Sequence, residues 1–110
     1  MNAFRKNKFN ARKVRIDGYT FDSEMEARRY GQLLMLRAGK LIDDLIVHPV
    51  YELRVNGQLV CKYEADFRYW DTATDRSVVE DVKGKVTALY SLKKKLMKAC
   101  HGIEVREVRA

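Results

Sequence analysis

Hydrophobic and polar positions along the chain change period several times, and each change marks an element. Val14 and Ile16, then Asp17-Gly18, then Tyr19 and Phe21 alternate around a turn pair, which predicts a hairpin. From Ser23 to Ala38 the period lengthens. Tyr30, Leu33, Leu34 and Leu41 form an apolar stripe, while Arg28, Arg29 and Arg37 fall off it. Ser23 with Glu26 three residues later makes a capping box, and Gly39 suits the left-handed position that closes a helix. Beyond Ile42-Asp43-Asp44 and the lone proline, Pro49, three strands are expected. They are Val50 to Val55, turned by Asn56-Gly57, then Leu59 to Trp70, then Ser77 to Lys83. Turns this short make neighbours antiparallel, so the three predict a meander. Thr87 caps a second helix running to about Cys100, with Leu89, Leu92, Leu96 and Cys100 as its core positions and Gly102 as its stop. Ile103 to Val108 is a last strand, parallel to its neighbour because a helix crosses over before it.

The third strand breaks a rule at its end. Asp81 and Lys83 lie two apart and project from one face, with Glu80 on the other. A buried acid and amine are costly unless paired or bound to something, so function is expected there. A short turn after Trp70 brings Asp66 of the preceding strand opposite Asp81. Two carboxylates about 4 Å apart repel by roughly 4 kcal/mol at an effective dielectric of 20. Either one is protonated or a cation lies between them. With Glu26 from the first helix added, the set is three acids and Lys83. Oxygen-only ligands select Mg²⁺ or Mn²⁺. Two bland alternatives stand beside this: an acid two residues before a lysine is a common accident in a chain with 15 acids, and Glu26 has a capping role.

Composition changes the picture in one direction. The 110 residues fit one domain, and a formal charge of +7 favours an anionic partner, nucleic acid before membrane. Six cations precede the first acid at Asp17: Arg5, Lys6, Lys8, Arg12, Lys13 and Arg15. Residues 1–12 are therefore expected to form a basic, flexible arm, followed by a single domain over 13–110. No apolar run is long enough to span a bilayer, and no apolar segment of the secretory type follows the cations. Cys61 and Cys100 are read as reduced thiols, and His48 and His101 as isolated, with no zinc spacing. Lys93, Lys94, Lys95 and Lys98 make a dense basic face on the second helix, which is either solvated or a phosphate-binding surface.

The order of helix-borne Glu, then Asp, then Asp-x-Lys resembles the PD-(D/E)XK nuclease superfamily. More closely, FDSEMEARRY, YEADFRYW and VVEDVKGKVT followed by YSLKKKLMKACHGIEV are similar to a small phage and prophage family catalogued as a domain of unknown function. That family is related to Holliday-junction-resolvase-like endonucleases, and the similarity runs from Lys13 to Val108. Ala65 stands where the superfamily has proline, and Asp81 where it usually has Glu.

The resemblance implies an α/β fold with a restriction-endonuclease-like core: αβββαβ order, a mixed central sheet and two flanking helices. It implies a Mg²⁺- or Mn²⁺-dependent endodeoxyribonuclease with Glu26, Asp66, Asp81 and Lys83 as catalytic residues. Asp66, Asp81, Glu26 and the Val82 backbone carbonyl would ligate the ion, and Lys83 would orient the attacking water or stabilise the phosphoryl oxyanion. Arg5, Lys6, Lys8, Arg12, Lys13, Lys85, Thr87, Lys93, Lys94, Lys95 and Lys98 would hold DNA. Branched or Holliday-junction DNA, a homodimer and the cytoplasm of a bacterial phage host complete that expectation. The alternatives are a non-catalytic basic DNA-binding module and a regulator of a phage replication protein.

Overall fold

Two Asx-Gly pairs set the first and third turns of the chain. A computed structural model describes residues 12–109, and in it β1 (Val14–Ile16) and β2 (Tyr19–Phe21) pair antiparallel around Asp17-Gly18. Both turn residues have positive φ, 55° and 83°, which is why this dipeptide suits the tight hairpin. The helix α1 (Glu24–Ala38) follows. Ser23 is extended, and its hydroxyl accepts from the Glu26 N–H at 3.1 Å.

The close of α1 falls one residue later than expected. Gly39 has φ −82°, and Lys40 takes the left-handed conformation at φ 62°. The Leu41 N–H then reaches the Leu36 carbonyl at 2.9 Å, the long bond that closes such an end. Leu41 therefore lies beyond the helix and is exposed.

An extra strand changes the expected meander. β3 (Ile42–Val47) precedes Pro49, and the long aromatic strand divides into β5 (Gln58–Glu64) and β6 (Phe67–Asp71). β4 (Val50–Val55) pairs with β5 as a separate two-stranded ribbon. β7 (Arg76–Val82) lies antiparallel to β6, and β8 (Arg106–Val108) lies parallel to β7 after α2 (Ala88–His101). The result is a mixed four-stranded sheet in the order β3-β6-β7-β8. The three expected strands are thus not one meander. The antiparallel pair β3/β6 bends at His48-Pro49 and Ala65-Asp66 and continues as the ribbon. Two backbone bonds carry it across the bend, His48 N–H to Asp66 carbonyl at 2.9 Å and Ala65 N–H to Pro49 carbonyl at 3.0 Å. Pro49 has no N–H, so a regular ladder is interrupted there.

The helices cover opposite faces. Ala27, Tyr30 and Leu33 of α1 pack with Phe21, Ile42, Phe67 and Tyr69. Tyr90 and Met97 of α2 pack with Leu53, Tyr63, Ala65, Val79 and Val105, so α2 joins sheet and ribbon. Each fully buried Leu, Phe or Met contributes about 1.5–3 kcal/mol. The inner face of α2 is rotated from the leucine stripe. Leu89 and Leu92, expected in the core, are 62% and 54% exposed. Tyr90 and Lys94 turn inward instead because both donate to the Glu107 carboxylate on β8, at 3.1 and 2.9 Å.

Candidate functional site

Alternation along β7 sends its two acids to opposite faces. Glu80 is fully buried against α1, where Arg29 holds it with two bonds of 2.9 and 2.7 Å and the Tyr69 hydroxyl donates a third. Arg29 is therefore not an outward cation of α1, as its place off the leucine stripe suggested. It is the counter-ion of a buried acid. This set is closed and ties α1 to the middle of the sheet.

Asp81 faces α2. The Tyr63 hydroxyl donates to one of its oxygens, and the Lys83 ammonium stands 3.4 Å from the other. That ammonium also sits 3.8 Å above the centre of the Tyr90 ring. Ring and carboxylate together hold a largely buried cation in one place.

Asp66 occupies the bend between β5 and β6. Phe67 pairs with Glu80, so one residue further along the same register Asp66 faces Asp81. The expected proximity of the two acids is realised. One Asp66 oxygen accepts the Val82 N–H at 2.7 Å. Val82 thus contributes a backbone donor to the acid through its N–H. Burial pushes the Asp66 carboxyl up to about 9, the charges of Asp81 and Glu26 add to that, and a hydrogen bond to Asp81 accompanies them. Without a cation the site therefore holds a proton between its acids.

Glu26 reaches the site from the first turn of α1. Its carboxylate does not complete the capping box; it meets His48 Nε2 at 2.8 Å. Burial raises the Glu26 carboxyl, and His48 opposes that shift. One ligand atom each from Glu26, His48 and Asp66 lies within 4.8 Å of the other two. His48 is thus not isolated, and the ligand-capable cluster is not made of oxygens alone. Its backbone is also unusual: φ is 55°, directly before proline, a conformation costing on the order of 1 kcal/mol outside glycine. Spacing could not reveal this residue, since 22 positions separate it from Glu26. The only signal was a polar residue beside the chain's single proline.

The basic residues divide into groups. Lys94 and Lys98 are paired with Glu107 and Glu104 at 2.9 and 2.8 Å. Arg12 and Lys13 stand 3.7 Å from Glu24 and Asp22. The exposed pairs among these, Lys98–Glu104, Arg12–Glu24 and Lys13–Asp22, are worth at most about 1 kcal/mol, so a phosphate can displace them. Thr87 caps α2, its hydroxyl accepting the Tyr90 N–H at 3.1 Å. Lys85 is exposed between β7 and α2, and Lys95 is exposed on α2. Lys93 is half-buried, and neither it nor Lys95 makes an ion pair among the described residues. Arg5, Lys6 and Lys8, and with them nearly all of the expected basic arm, lie outside the described residues.

The chain belongs to the family described as "Protein of unknown function (DUF1064)", whose model matches residues 6–109. Comparison with curated proteins and with solved structures finds no match. No helix among the described residues is long and apolar enough to cross a membrane.

Proposed function

We propose that this member of the family is a divalent-metal-dependent endodeoxyribonuclease that hydrolyses phosphodiester bonds in branched or junction DNA, acting as a homodimer. One observation carries the reading: Asp66 stands among Asp81, Glu26 and the Val82 N–H, and its carboxyl is raised to about 9 by burial and by the two neighbouring acids. A cluster of acids that must hold a proton in the absence of a cation is a cluster suited to one.

The donor set fits such an ion. Asp66 and Glu26 present carboxylate oxygens within 4.8 Å of one another, and Asp81 adjoins them through Asp66. When bound, a divalent ion supplies charge neutralisation at the phosphate and lowers the pKa of a water beside it. The remaining work belongs to the chain. Lys83, held by Asp81 and the Tyr90 ring, is a donor for the attacking water or for a phosphoryl oxygen. The Tyr63 hydroxyl keeps Asp81 oriented toward that lysine. The Arg29–Glu80 pair clamps α1 to β7, so Glu26 and Asp81 keep their relative positions. Lys93, Lys94, Lys95 and Lys98 supply phosphate contacts, which give affinity without reading sequence.

The test is incubation of the purified protein with labelled four-way-junction, flap, duplex and single-stranded DNA, with Mg²⁺, Mn²⁺ or EDTA. Cation-dependent cutting of branched substrates, lost in Asp66→Asn and Asp81→Asn, is the expected result. Tight binding of the same substrates with no cutting under either ion would replace this reading with a DNA-binding module. Sedimentation showing only monomer, with and without DNA, would remove the paired cut.

A further inference from the structure

We propose that His48 is a nitrogen ligand of the site's divalent ion, making a mixed His-carboxylate centre with Glu26 and Asp66 that favours Mn²⁺ over Mg²⁺. The inference rests on the reading that these acids hold a divalent ion; it does not depend on DNA being the substrate.

Cis donors around an octahedral ion with bonds of about 2.1 Å lie roughly 3 Å apart. His48 Nε2 and Glu26 Oε1 are already 2.8 Å apart, and an Asp66 oxygen completes a set whose members all lie within 4.8 Å. An ion entering between them takes the place of side-chain hydrogen bonds within the set, the His48–Glu26 bond among them.

The ring is also held in place before any ion arrives. The His48 N–H donates to the Asp66 carbonyl at 2.9 Å, so two members of the set are joined through their backbones at the bend. The imidazole packs on the fully buried Phe21, with ring centres 5.6 Å apart. Glu26 is fixed from the other side by the first turn of α1. Three separate segments of the fold thus converge on one point.

The chemical class of the ion follows from the donors. Mg²⁺ takes oxygen ligands and sheds its waters reluctantly, whereas imidazole suits the transition ions. One nitrogen among carboxylates is a donor set for Mn²⁺, and for Fe²⁺ or Co²⁺ where these are available. The rival account is that His48 only fastens the bend to α1 through Glu26, with any ion bound by oxygens alone.

The full-length protein, stripped of metal, is titrated with Mn²⁺ while free Mn²⁺ is followed by electron paramagnetic resonance, and Mg²⁺ is added as competitor. Electron spin-echo modulation of the bound Mn²⁺ then reports whether a nitrogen-14 nucleus is coordinated. Mn²⁺ is expected to bind about tenfold tighter than Mg²⁺ or more, with nitrogen modulation present. His48→Gln is expected to remove the modulation and weaken Mn²⁺ by about tenfold or more, the scale on which even outer partners of a ligand act. Its Mg²⁺ affinity should change far less. His101 is the only other histidine and bonds the Glu52 carbonyl at 2.7 Å, so His101→Gln should keep the modulation.

Bound Mn²⁺ without nitrogen modulation in the unsubstituted protein would overturn the proposal, whether or not His48→Gln folds. It would leave the nuclease reading standing on its carboxylates. Absence of any Mn²⁺ or Mg²⁺ binding would overturn both. Mn²⁺ bound through nitrogen in a protein that cuts no DNA would uphold the centre and remove only the nuclease.

Discussion

Asp66 and Asp81 face each other across the end of the sheet, and Asp66 keeps its proton up to about pH 9 because burial, then Asp81 and Glu26, disfavour its charge. The unfolded chain releases that proton near pH 4. Between those limits the folded state binds the proton and the unfolded state does not, so stability falls as pH rises. The metal-free protein should therefore lose melting temperature steadily from about pH 4 to pH 9. Asp66→Asn should be more stable than the parent at pH 8, by about 5 °C for each 1 kcal/mol recovered. Saturating Mn²⁺ should restore the parent and not the variant. Thermal melts across pH with EDTA or Mn²⁺ check this; metal-free stability that climbs between pH 5 and 8 would count against it.

The Arg29–Glu80 pair makes a prediction about stability rather than chemistry. Arg29→Met leaves the fully buried Glu80 carboxylate with only the Tyr69 hydroxyl. Removing one partner of a buried pair costs about 3–5 kcal/mol. Urea unfolding should show that loss, and adding Glu80→Gln should recover a substantial part of it. A loss below about 1 kcal/mol would show that the pair contributes no more than an exposed one.

Lys83 separates catalysis from binding. It touches Asp81 and the Tyr90 ring, and its place is at the end of β7 rather than on the basic face of α2. Lys83→Met should lower the cleavage rate by about 10²–10³-fold, the scale of losing one preorganised donor. Junction affinity measured in Ca²⁺ should stay within a few-fold. Equal losses in rate and affinity would instead make Lys83 a phosphate-binding residue.

The lysines of α2 are distinguishable by salt. Removing a lysine that neutralises one phosphate should flatten the slope of log affinity against log salt by about one. Lys93→Ala and Lys95→Ala should do so. Lys98→Ala also frees Glu104, which then repels DNA, so it should weaken binding further at low salt, whereas Glu107 keeps Tyr90 and Arg109 when Lys94 is removed. Slopes unchanged in all four variants would place the DNA elsewhere.

Much of this architecture could be read from short stretches. The Asp17-Gly18 and Asn56-Gly57 turns, the Ser23 and Thr87 caps and the parallel last strand all appear where they were expected, because each is decided within a few residues. Asp66 opposite Asp81 follows from turn length and strand alternation. The readings that failed depend on distant partners. Leu89 and Leu92 fit a helical stripe as well as Tyr90 and Met97 do, and only β8, through Glu107, selects which side turns in. Arg29 looks like a surface cation until Glu80, 51 positions away, is packed beneath it.

By itself the sequence determined the element types, the two Asx-Gly hairpin turns, both caps and the meeting of Asp66, Asp81 and Lys83, since periodicity and turn chemistry act over a few residues. Only the tertiary structure decided that the long strand bends at Ala65-Asp66, that Glu26 turns to His48 instead of its own cap, and that a histidine joins the acids. Those outcomes depend on the bend at Pro49 placing His48 beside the first turn of α1. Local pattern carries no information about which distant segments a bend will bring together.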